Sequence, residues 1–538
     1  MGVVWSVNGV DGGNSSIGTI DATGKYTSPS GTKSLAVTIR VTSNSFPKKV
    51  AAATVYAISN GQVAATNNAQ VAQYTISLPA SVKVFVQFGT DTNYGLTTWS
   101  QPAPQNGGAV SLFVAGMRAN TLYHMRGVVQ FPEGMQLMDA DQTFMTGAPL
   151  AAQLPNLTTT TTAGMTPQSG VELLSFVNTT PTSKLGLAVA DLSGNVLWTY
   201  NPGLPLGIIA NPIKLMPNGH FLINFSKGSL AGVNSVLQEV DLAGNLIWQM
   251  TAADLNNALA AATCAGCNIM VLGTHHDFAI LPNGHLIVIA STHRVVSGVT
   301  VIGDVLIDLD QNRKPQWAWN EFDHLDINRR PYQYPDWTHT NAILYSAADG
   351  NLIISIRHQN WLVKVDYANG AGTGDILWRL GYQGDFTLVG GADPTNWFYA
   401  QHGPSFMTAN TAGKFSLVLF DNGDDRVFAP GVNCDAPGQP PCFYSATPIL
   451  QLDESAKTAT LPFNRTAPLY SFFGGNAEVL GNGNLEFTES ATTDPANNAA
   501  VYEFTQGPNA QIVWQMQIAG QYAYRGMRMP SFYPGVQW

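Results

Sequence analysis

The stretch Asp191-Leu-Ser-Gly-Asn-Val-Leu-Trp198 recurs later in the chain as Asp241-Leu-Ala-Gly-Asn-Leu-Ile-Trp248. Degenerate copies of the pattern follow, ending at Trp317, Trp378 and Trp514, and a sixth copy around residues 453–460 lacks the tryptophan. Six copies of one motif indicate a repeated supersecondary unit. The repeats must stack, because a single unit cannot bury both of its faces.

A turn of the Pro-Asn-Gly type is the second feature of the repeat. It separates apolar segments at residues 216–219, 281–284, 348–350, 412–413 and 480–483. Asn-Gly between alternating hydrophobic residues is a strong hairpin signal. Repeats made of strands and turns therefore predict a six-bladed β-propeller over residues 169–538.

Two small β-sandwich modules are predicted ahead of the repeats, so the whole chain is expected to be all-β. Residues 1–72 include an alternating stretch at residues 35–41, which indicates half-buried strands, and they resemble bacterial immunoglobulin-like modules. Residues 73–148 carry Tyr123 on a segment similar to the tyrosine-bearing strand of fibronectin type III domains. Residues 149–168, which hold a Thr-rich tract, are expected to be a linker.

The composition excludes several classes of function. Charged residues make up 11% of the 538 residues and the net charge is −10, so without a basic stripe nucleic-acid binding is not expected. No apolar run reaches the roughly 18 residues of a membrane span. The first residues lack the basic and apolar regions of a signal peptide, so a leader is interpreted as absent from this sequence.

Four cysteines form two close pairs, Cys264 with Cys267 and Cys434 with Cys442. Both pairs lie in loop-like segments, so two short-loop disulfides and a periplasmic or secreted location are the favoured interpretation. A zinc site is less favoured because the pairs are far apart and lack ligand-spaced histidines. A thioredoxin-type motif is disfavoured because no βαβ pattern surrounds the first pair.

Three of the ten histidines occupy the same position in successive repeats. His276, His339 and His402 each begin the apolar segment before a hairpin turn, at intervals of 63 residues. In a propeller such positions lie at one height on the strands that line the central channel, so we expect the three histidines to converge there. His275 competes for the first position, but adjacent strand residues face opposite sides and the repeat register favours His276.

Arg357 is expected to join these histidines. It follows His339 by 18 residues, with the hairpin turn near the midpoint, so at about 3.3 Å per residue the chain returns to the same level. Imidazoles and a planar guanidinium make an anion site suited to the transfer of a sulfuryl or phosphoryl group. Two other interpretations remain open: histidines that satisfy blade hydrogen bonds, and a three-histidine metal site, which the guanidinium disfavours.

Residues from about 170 to 538 resemble the bacterial arylsulfate sulfotransferases that do not use the phosphoadenosine cofactor. The resemblance rests on six motifs, which are His276-Asp-Phe-Ala-Ile-Leu-Pro-Asn-Gly, Asp336-Trp-Thr-His-Thr-Asn, Ser355-Ile-Arg357, Gln401-His-Gly, Phe420-Asp-Asn-Gly and Tyr524-Arg-Gly-Met-Arg-Met-Pro-Ser-Phe-Tyr-Pro. Each motif alone is weak, and their combination is specific.

The resemblance implies a ping-pong reaction that moves a sulfuryl group from a phenolic sulfate ester to a phenolic acceptor, with no cofactor and no metal. His402 corresponds to the transiently sulfurylated nucleophile. His276, His339 and Arg357 correspond to the residues that hold the sulfuryl oxygens. Small-molecule phenols and aryl sulfates are the implied partners, and a homodimer is compatible with the resemblance.

Four aromatic residues near the expected mouth are predicted to line an aryl pocket, with packing inside the blades as the alternative. They are Trp337, Trp397, Phe398 and Tyr399. Two other functions stay in view for the whole chain. A quinoprotein-like dehydrogenase would need more repeats and a carboxylate-lined calcium site, and a non-catalytic propeller binding module would leave the aligned histidines unexplained.

Overall fold

A computed structural model gives the structure of the protein, and it describes residues 2–29, 35–149, 154–177, 186–203, 208–227, 235–333, 335–494 and 498–538. The chain divides into two compact units, one of residues 1–149 with 531–538 and one of residues 150–530. The last residues of the chain, predicted to end the repeat domain, thus belong to the first unit.

The first unit consists of short strands. In chain order they are β1 (Val3–Val7), β2 (Val10–Asp11), β3 (Gly13–Asn14), β4 (Gly18–Ile20), β5 (Tyr26–Thr27), β6 (Leu35–Ser43), β7 (Val50–Ala57), β8 (Gln62–Ala65), β9 (Ala72–Leu78), β10 (Lys83–Gly89), β11 (Leu96–Thr97), β12 (Gln101–Pro102), β13 (Gly108–Val114), β14 (Leu122–Gln130), β15 (Gln136–Met138) and β16 (Gln142–Met145). Strands β2-β1-β6-β7 and β3-β4-β5 form two sheets with a small apolar core. Strands β11-β10-β14-β15, with β12 and β16 paired to them, and strands β13-β9-β8 form two further sheets with a larger core.

Strand β8 differs from the predicted division of this unit. It precedes residue 72, yet it pairs with β9, and Val63 lies opposite Tyr74. Val63 packs against the larger core rather than the smaller one. The larger apolar cluster buries more surface, which explains why the strand joins it.

The second unit is also built from strands. In chain order they are β17 (Asn156–Thr161), β18 (Val171–Val177), β19 (Leu187–Asp191), β20 (Val196–Tyr200), β21 (Ile209–Leu215), β22 (Phe221–Ser226), β23 (Val236–Val240), β24 (Leu246–Thr251), β25 (Gly273–Ile280), β26 (Leu286–Val296), β27 (Val299–Leu309), β28 (Pro315–Asn320), β29 (Thr340–Ser346), β30 (Asn351–Ile356), β31 (Trp361–Val365), β32 (Ile376–Leu380), β33 (Thr387–Val389), β34 (His402–Phe406), β35 (Lys414–Phe420), β36 (Ala446–Asp453), β37 (Thr458–Thr466), β38 (Ala477–Val479), β39 (Leu485–Glu489), β40 (Ala499–Phe504), β41 (Ile512–Ala519) and β42 (Tyr522–Met529). One α-helix, α1 (Ala252–Ala261), begins with a capping box formed by Thr251 and Asp254.

These strands form six sheets among the described residues, named here in order along the chain. Sheet I is β20-β19-β18-β42, sheet II is β21-β22-β23-β24, sheet III is β25-β26-β27-β28, sheet IV is β29-β30-β31-β32, sheet V is β33-β37-β36-β35-β34 and sheet VI is β17-β41-β40-β39-β38. The prediction of an all-β chain is confirmed.

Each sheet contacts the next sheet through its edge strand on one side or through a strand next to that edge. The contacts join β18 to β21, β22 to β25, β25 to β29, β29 to β34, β34 to β38 and β39 to β42. Strands β25, β29 and β34 of sheets III, IV and V therefore lie side by side. This brings together the segments that begin at the three predicted histidines.

Tryptophans in or next to the repeat motif link several of the sheets to the turn of the next sheet. The Nε1–H of Trp198 in sheet I donates to the Leu242 carbonyl in sheet II, and that of Trp514 in sheet VI donates to the Leu192 carbonyl in sheet I. In sheet III the corresponding donor is Trp319 rather than the predicted Trp317. The repeat was therefore visible in the sequence because its tryptophans carry bonds between sheets.

The Thr-rich tract, predicted as a linker, forms strand β17 instead. It pairs along its whole length with β41, with Thr161 opposite Trp514. Without this pairing, the backbone N–H and C=O groups at that edge of sheet VI would lack hydrogen-bond partners. The strand supplies these partners. Residues 150–153 and part of the region around residue 180 fall outside the described residues.

Both predicted disulfides are present, joining Cys264 to Cys267 and Cys434 to Cys442. No helix among the described residues is long and apolar enough to span a membrane.

Candidate active site

Irregular backbone in β25 and directly before β29 positions two of the predicted histidines. The pairing of β25 with β26 shifts register between Thr274 and Phe278, and His276 within this bulge has a φ of 55°. His339, directly before β29, has a φ of 54°. A bulge re-aims side chains away from simple alternation, and left-handed backbone at non-glycine residues is a strain found at functional sites.

The structure brings the three predicted histidines together. The rings of His276 and His339 are 4.6 Å apart between centroids. The ring of Tyr524, from β42, lies 5.8 Å from that of His276 and 6.1 Å from that of His402. Four segments from four different sheets therefore place their aromatic rings in one cluster.

Arg357 reaches the same cluster from the far end of β30. Its backbone N–H donates to the His339 carbonyl at 3.3 Å, at the level expected from the hairpin. Its guanidinium binds the Asp424 carboxylate at 2.8 Å, and its Nη1 lies 2.5 Å from His358 Nε2. Its Nε is buried and has no hydrogen-bond partner among the described residues, so it remains able to donate to a ligand.

Hydrogen bonds to both ring nitrogens hold His402 in place. Its Nδ1 lies 2.6 Å from Asn422 Oδ1 and 3.1 Å from the Ala400 carbonyl. Both partners are acceptors, so the ring proton belongs on Nδ1. The Gly474 N–H donates to Nε2 at 3.3 Å, which requires a lone pair there. His402 is thus assigned the tautomer that leaves Nε2 nucleophilic.

Burial keeps the central imidazoles neutral. Burial, assisted by Arg357, lowers the pKa of His402 well below its ordinary value. Burial, assisted by His339 and His275, lowers the pKa of His276 in the same way. Both effects disfavour the imidazolium form, because a desolvated cation next to other cations is unstable. In the free protein both rings therefore favour the neutral form, which keeps a lone pair on one ring nitrogen.

His275 lies behind the cluster and not in it. Its Nδ1 is 2.7 Å from His276 Nδ1, and its Nε2 is 2.9 Å from Asp304 Oδ1. His275 is fully buried, while His276 contacts the rings of His339 and Tyr524. The contacts therefore agree with the repeat register in giving His276 the position that faces the other histidines.

A metal ion does not fit this cluster. Among the described residues, the group with ligand atoms close enough to hold an ion is Asp336, His339 and His358, not the three predicted histidines. Both ring nitrogens of His358 are already engaged, Nδ1 by the Asp336 carbonyl and Nε2 by Arg357. A guanidinium at 2.5 Å would repel a cation at that nitrogen.

The four residues predicted to line an aryl pocket do not join the site. Trp337, Trp397, Phe398 and Tyr399 are each at most 1% exposed. Trp337 stacks on Phe322 in one core, and the other three pack in a second core. This expectation is corrected: burial of large rings inside the sheets stabilises the packing and leaves no face for a substrate.

Other aromatic residues surround Arg357 instead. Its guanidinium lies 5.7 Å from the ring centroid of Tyr332, and the Phe472 carbonyl accepts from its Nη2 at 3.4 Å. The Tyr470 hydroxyl donates to Asp424, the partner of Arg357. Tyr332, Tyr470 and Phe472 are partly exposed, so they can contact an aryl group.

Several site residues were missed by sequence reasoning, although motifs contained them. Asn422 stands in Phe420-Asp-Asn-Gly and Tyr524 opens the terminal motif. Asp336, whose Oδ2 is 2.5 Å from His339 Nδ1, precedes that histidine by three residues. Their place in the motifs was the available signal, but which of these side chains reaches a histidine depends on backbone geometry that spacing does not give.

The sequence model of the family described as Arylsulfotransferase (ASST) matches residues 159–525, which include every histidine of the cluster, Arg357 and Tyr524. The chain belongs to the arylsulfotransferase family. The family implies a sulfotransferase that acts on small molecules, and this favours a sulfotransferase over a dehydrogenase or a binding module.

The remaining comparisons add no argument about function. No curated protein matches the chain. A solved structure of a putative 6-phosphogluconolactonase from Bacteroides uniformis is similar with a TM-score of 0.34 and 10% identity, over 67% of this chain and 100% of that one. A mutant of the Synechocystis apocarotenoid oxygenase is similar with a TM-score of 0.32 and 10% identity, over 85% of this chain and 96% of that one.

Proposed function

We propose that this arylsulfotransferase moves a sulfuryl group from a phenolic sulfate ester to a phenol by a ping-pong mechanism through a sulfohistidine at His402. The observation that carries the proposal is the arrangement of His402. Its Nδ1 faces two acceptors, its Nε2 accepts from the Gly474 N–H, and its pKa is lowered by burial. A neutral ring with a fixed lone pair is ready to attack sulfur.

In the first half-reaction, Nε2 of His402 forms a bond to sulfur as the bond from sulfur to the aryl oxygen breaks. The electron pair of the broken bond leaves with the aryl oxide. The Nδ1 proton stays in its bond to Asn422, so sulfurylation needs no proton transfer at His402. The Gly474 N–H, released from Nε2, becomes available to donate to a sulfuryl oxygen.

The second half-reaction reverses the first with a different phenol. The acceptor phenol loses its proton as its oxygen forms a bond to sulfur, the bond from sulfur to Nε2 breaks, and the electron pair returns to Nε2. The proton released by the acceptor balances the aryl oxide released in the first half-reaction. Arg357, with its free Nε, and His339 are proposed to hold the sulfuryl oxygens as charge spreads over them. Donors fixed in a buried site stabilise such charge more strongly than water does.

The proposed substrates are small phenols and aryl sulfates, and the reaction as written needs no nucleotide and no metal. The partly exposed rings of Tyr332, Tyr470 and Phe472 are proposed to contact the aryl groups, in place of the buried tryptophans. All three lie around Arg357. An aryl sulfate would therefore meet aromatic faces and the guanidinium at the same place.

We also propose that sheets I to VI are the blades of a six-bladed β-propeller with the site at one end of its channel. The order of contacts between sheets supports it, because sheet VI contacts sheet I through β39 and β42. Trp514 adds a hydrogen bond across the same two sheets. The two small cores of the first unit support two sandwich modules of the immunoglobulin-like and fibronectin III-like kinds.

A periplasmic or secreted location is proposed from the two disulfides, since such bonds persist in oxidising compartments. The homodimer remains a prediction, which the mass of the protein in solution would test.

The proposed function is tested with p-nitrophenyl sulfate and phenol, without nucleotide. We expect nitrophenol release that depends on the acceptor, and at least about a 1,000-fold loss in His402→Ala. The matched control is His220→Ala, because His220 pairs with Glu239 at 2.7 Å in sheet II. An enzyme that turns over no aryl sulfate, or a His402→Ala variant with unchanged rate, would contradict the proposal.

A further inference from the structure

A chain of buried polar groups leads away from His276. His276 Nδ1 contacts His275 Nδ1 at 2.7 Å, and His275 Nε2 contacts Asp304 Oδ1 at 2.9 Å. His275 and Asp304 are both fully buried. Water cannot reach either group, so the hydrogen bond between them replaces a hydrogen bond to water.

The partners of each nitrogen fix where the protons lie. Asp304 Oδ1 accepts, so His275 Nε2 carries a proton and donates it. The Nδ1 of a neutral His275 then holds a lone pair, and the proton between the two rings belongs to His276 Nδ1. The lone pair of His276 consequently sits on Nε2, the nitrogen that His275 does not engage.

The Asp304 carboxylate is itself held in place by two other donors. Its Oδ2 accepts from the Thr338 hydroxyl at 2.9 Å and from the Thr340 N–H at 2.6 Å. Glu321 lies beyond it, accepting from the Thr340 hydroxyl and from the Asp304 N–H. Burial, assisted by Asp304, raises the pKa of Glu321 to about 8, which favours the protonated form of Glu321 near neutral pH.

We propose that His275 and Asp304 are positioning residues that make His276 the group that moves the phenolic proton. This inference rests on the proposed function. As the acceptor oxygen bonds to sulfur, its proton passes to His276 Nε2, and His276 becomes an imidazolium whose Nδ1 proton still points at His275. In the next turnover the imidazolium returns that proton to the departing aryl oxide of the donor.

The charges around His276 indicate that Asp304 is the group that stabilises its protonated form. His339, His275, His402 and Arg525 all disfavour a positive charge on the ring. The adjacent Asp277 is already bound to Lys214 at 2.8 Å and to Arg525 at 3.2 Å. Asp304, acting through His275, is the negative group aligned with the ring.

The test compares two donors in Asp304→Asn. Phenyl sulfate needs a proton on its leaving oxygen, whereas p-nitrophenolate leaves readily without one. In a ping-pong scheme kcat/KM for the donor reports only the donor half-reaction. We expect this quantity to fall about 100-fold for phenyl sulfate and to change by less than about threefold for p-nitrophenyl sulfate. The pH at which phenyl sulfate turnover is half-maximal should also fall, because loss of the negative charge makes His276 harder to protonate.

Asp308→Asn is the matched control. Asp308 is a buried aspartate on the same strand, bonded to His285 at 2.9 Å and to the Tyr367 hydroxyl at 2.7 Å. We expect both donors to keep their wild-type rates in it. If Asp304→Asn does not fold, His275→Gln replaces it, with the same expected difference between donors.

Equal losses for the two donors, no loss for either, or the same pattern in Asp308→Asn would overturn the inference. Failure of the proposed function would be seen separately, as a wild type that uses no aryl sulfate. Nitrogen-15 NMR of labelled histidines tests the relay without turnover, with His276→Gln assigning the signal. We expect the His276 proton on Nδ1 in the wild type, and a proton on Nε2 would overturn the relay.

Discussion

His276 and His402 lie on corresponding strands of sheets III and V, yet their partners differ in kind. Behind His276 lie a histidine and a carboxylate. Behind His402 lie an amide oxygen and a backbone carbonyl. Both rings are buried and both have a lowered pKa. Repeated geometry thus places two similar rings, and the groups packed behind each ring distinguish them.

The difference teaches how one ring type serves two tasks. A neutral amide orients an imidazole without stabilising its protonated form, which suits a nucleophile. A carboxylate stabilises the protonated form, which suits a group that must accept and return a proton. Under this account the two histidines cannot exchange roles, although the repeat places them equivalently.

The larger of two expected effects on this comparison follows from removing the amide that orients His402. In Asn422→Ala the ring loses its 2.6 Å contact and its tautomer is no longer fixed. We expect the release of nitrophenol and of phenol to fall by the same factor, about 100-fold. Equal loss for good and poor leaving groups separates this change from that of Asp304. Asn195→Ala, in an exposed turn, serves as the control, and a loss confined to phenyl sulfate would break the comparison.

A smaller effect is expected from giving His402 the carboxylate that His276 has. The pKa of His402 lies well below 6.5, so the neutral nucleophile persists and p-nitrophenyl sulfate turnover should stay flat between pH 8 and pH 6. In Asn422→Asp the new charge raises the pKa of His402, and the rate should drop about tenfold as pH falls across that range. Measured pH profiles of the two proteins decide this, and identical profiles would show that the amide has no such role.

The fold could be predicted from local signals, because the repeat tryptophans and hairpin turns recur in the sequence. The pairing of strands that are far apart in the sequence could not be predicted. The Thr-rich tract completes sheet VI beside Trp514, and no local pattern links segments so far apart. Register likewise predicted that His339 and Arg357 meet, since one hairpin connects them.

The supporting groups of the site escaped prediction for a related reason. Asp304 and Asn422 belong to strands or turns distant from the histidines they serve, and only the fold brings them together. The buried Trp397 was misassigned because an apolar ring beside a site residue looks the same in sequence whether it packs or binds. Burial, which decides between the two, is a property of the assembled sheets.

The most direct test of the central claim is to trap the covalent intermediate. The protein would be incubated with p-nitrophenyl sulfate without an acceptor, quenched at alkaline pH and digested for mass spectrometry. The account predicts one sulfuryl group on the peptide that contains His402, absent in His402→Ala and removed when phenol is added. A sulfuryl group on the peptide of His276 or His339, or active enzyme with no modified peptide, would contradict it.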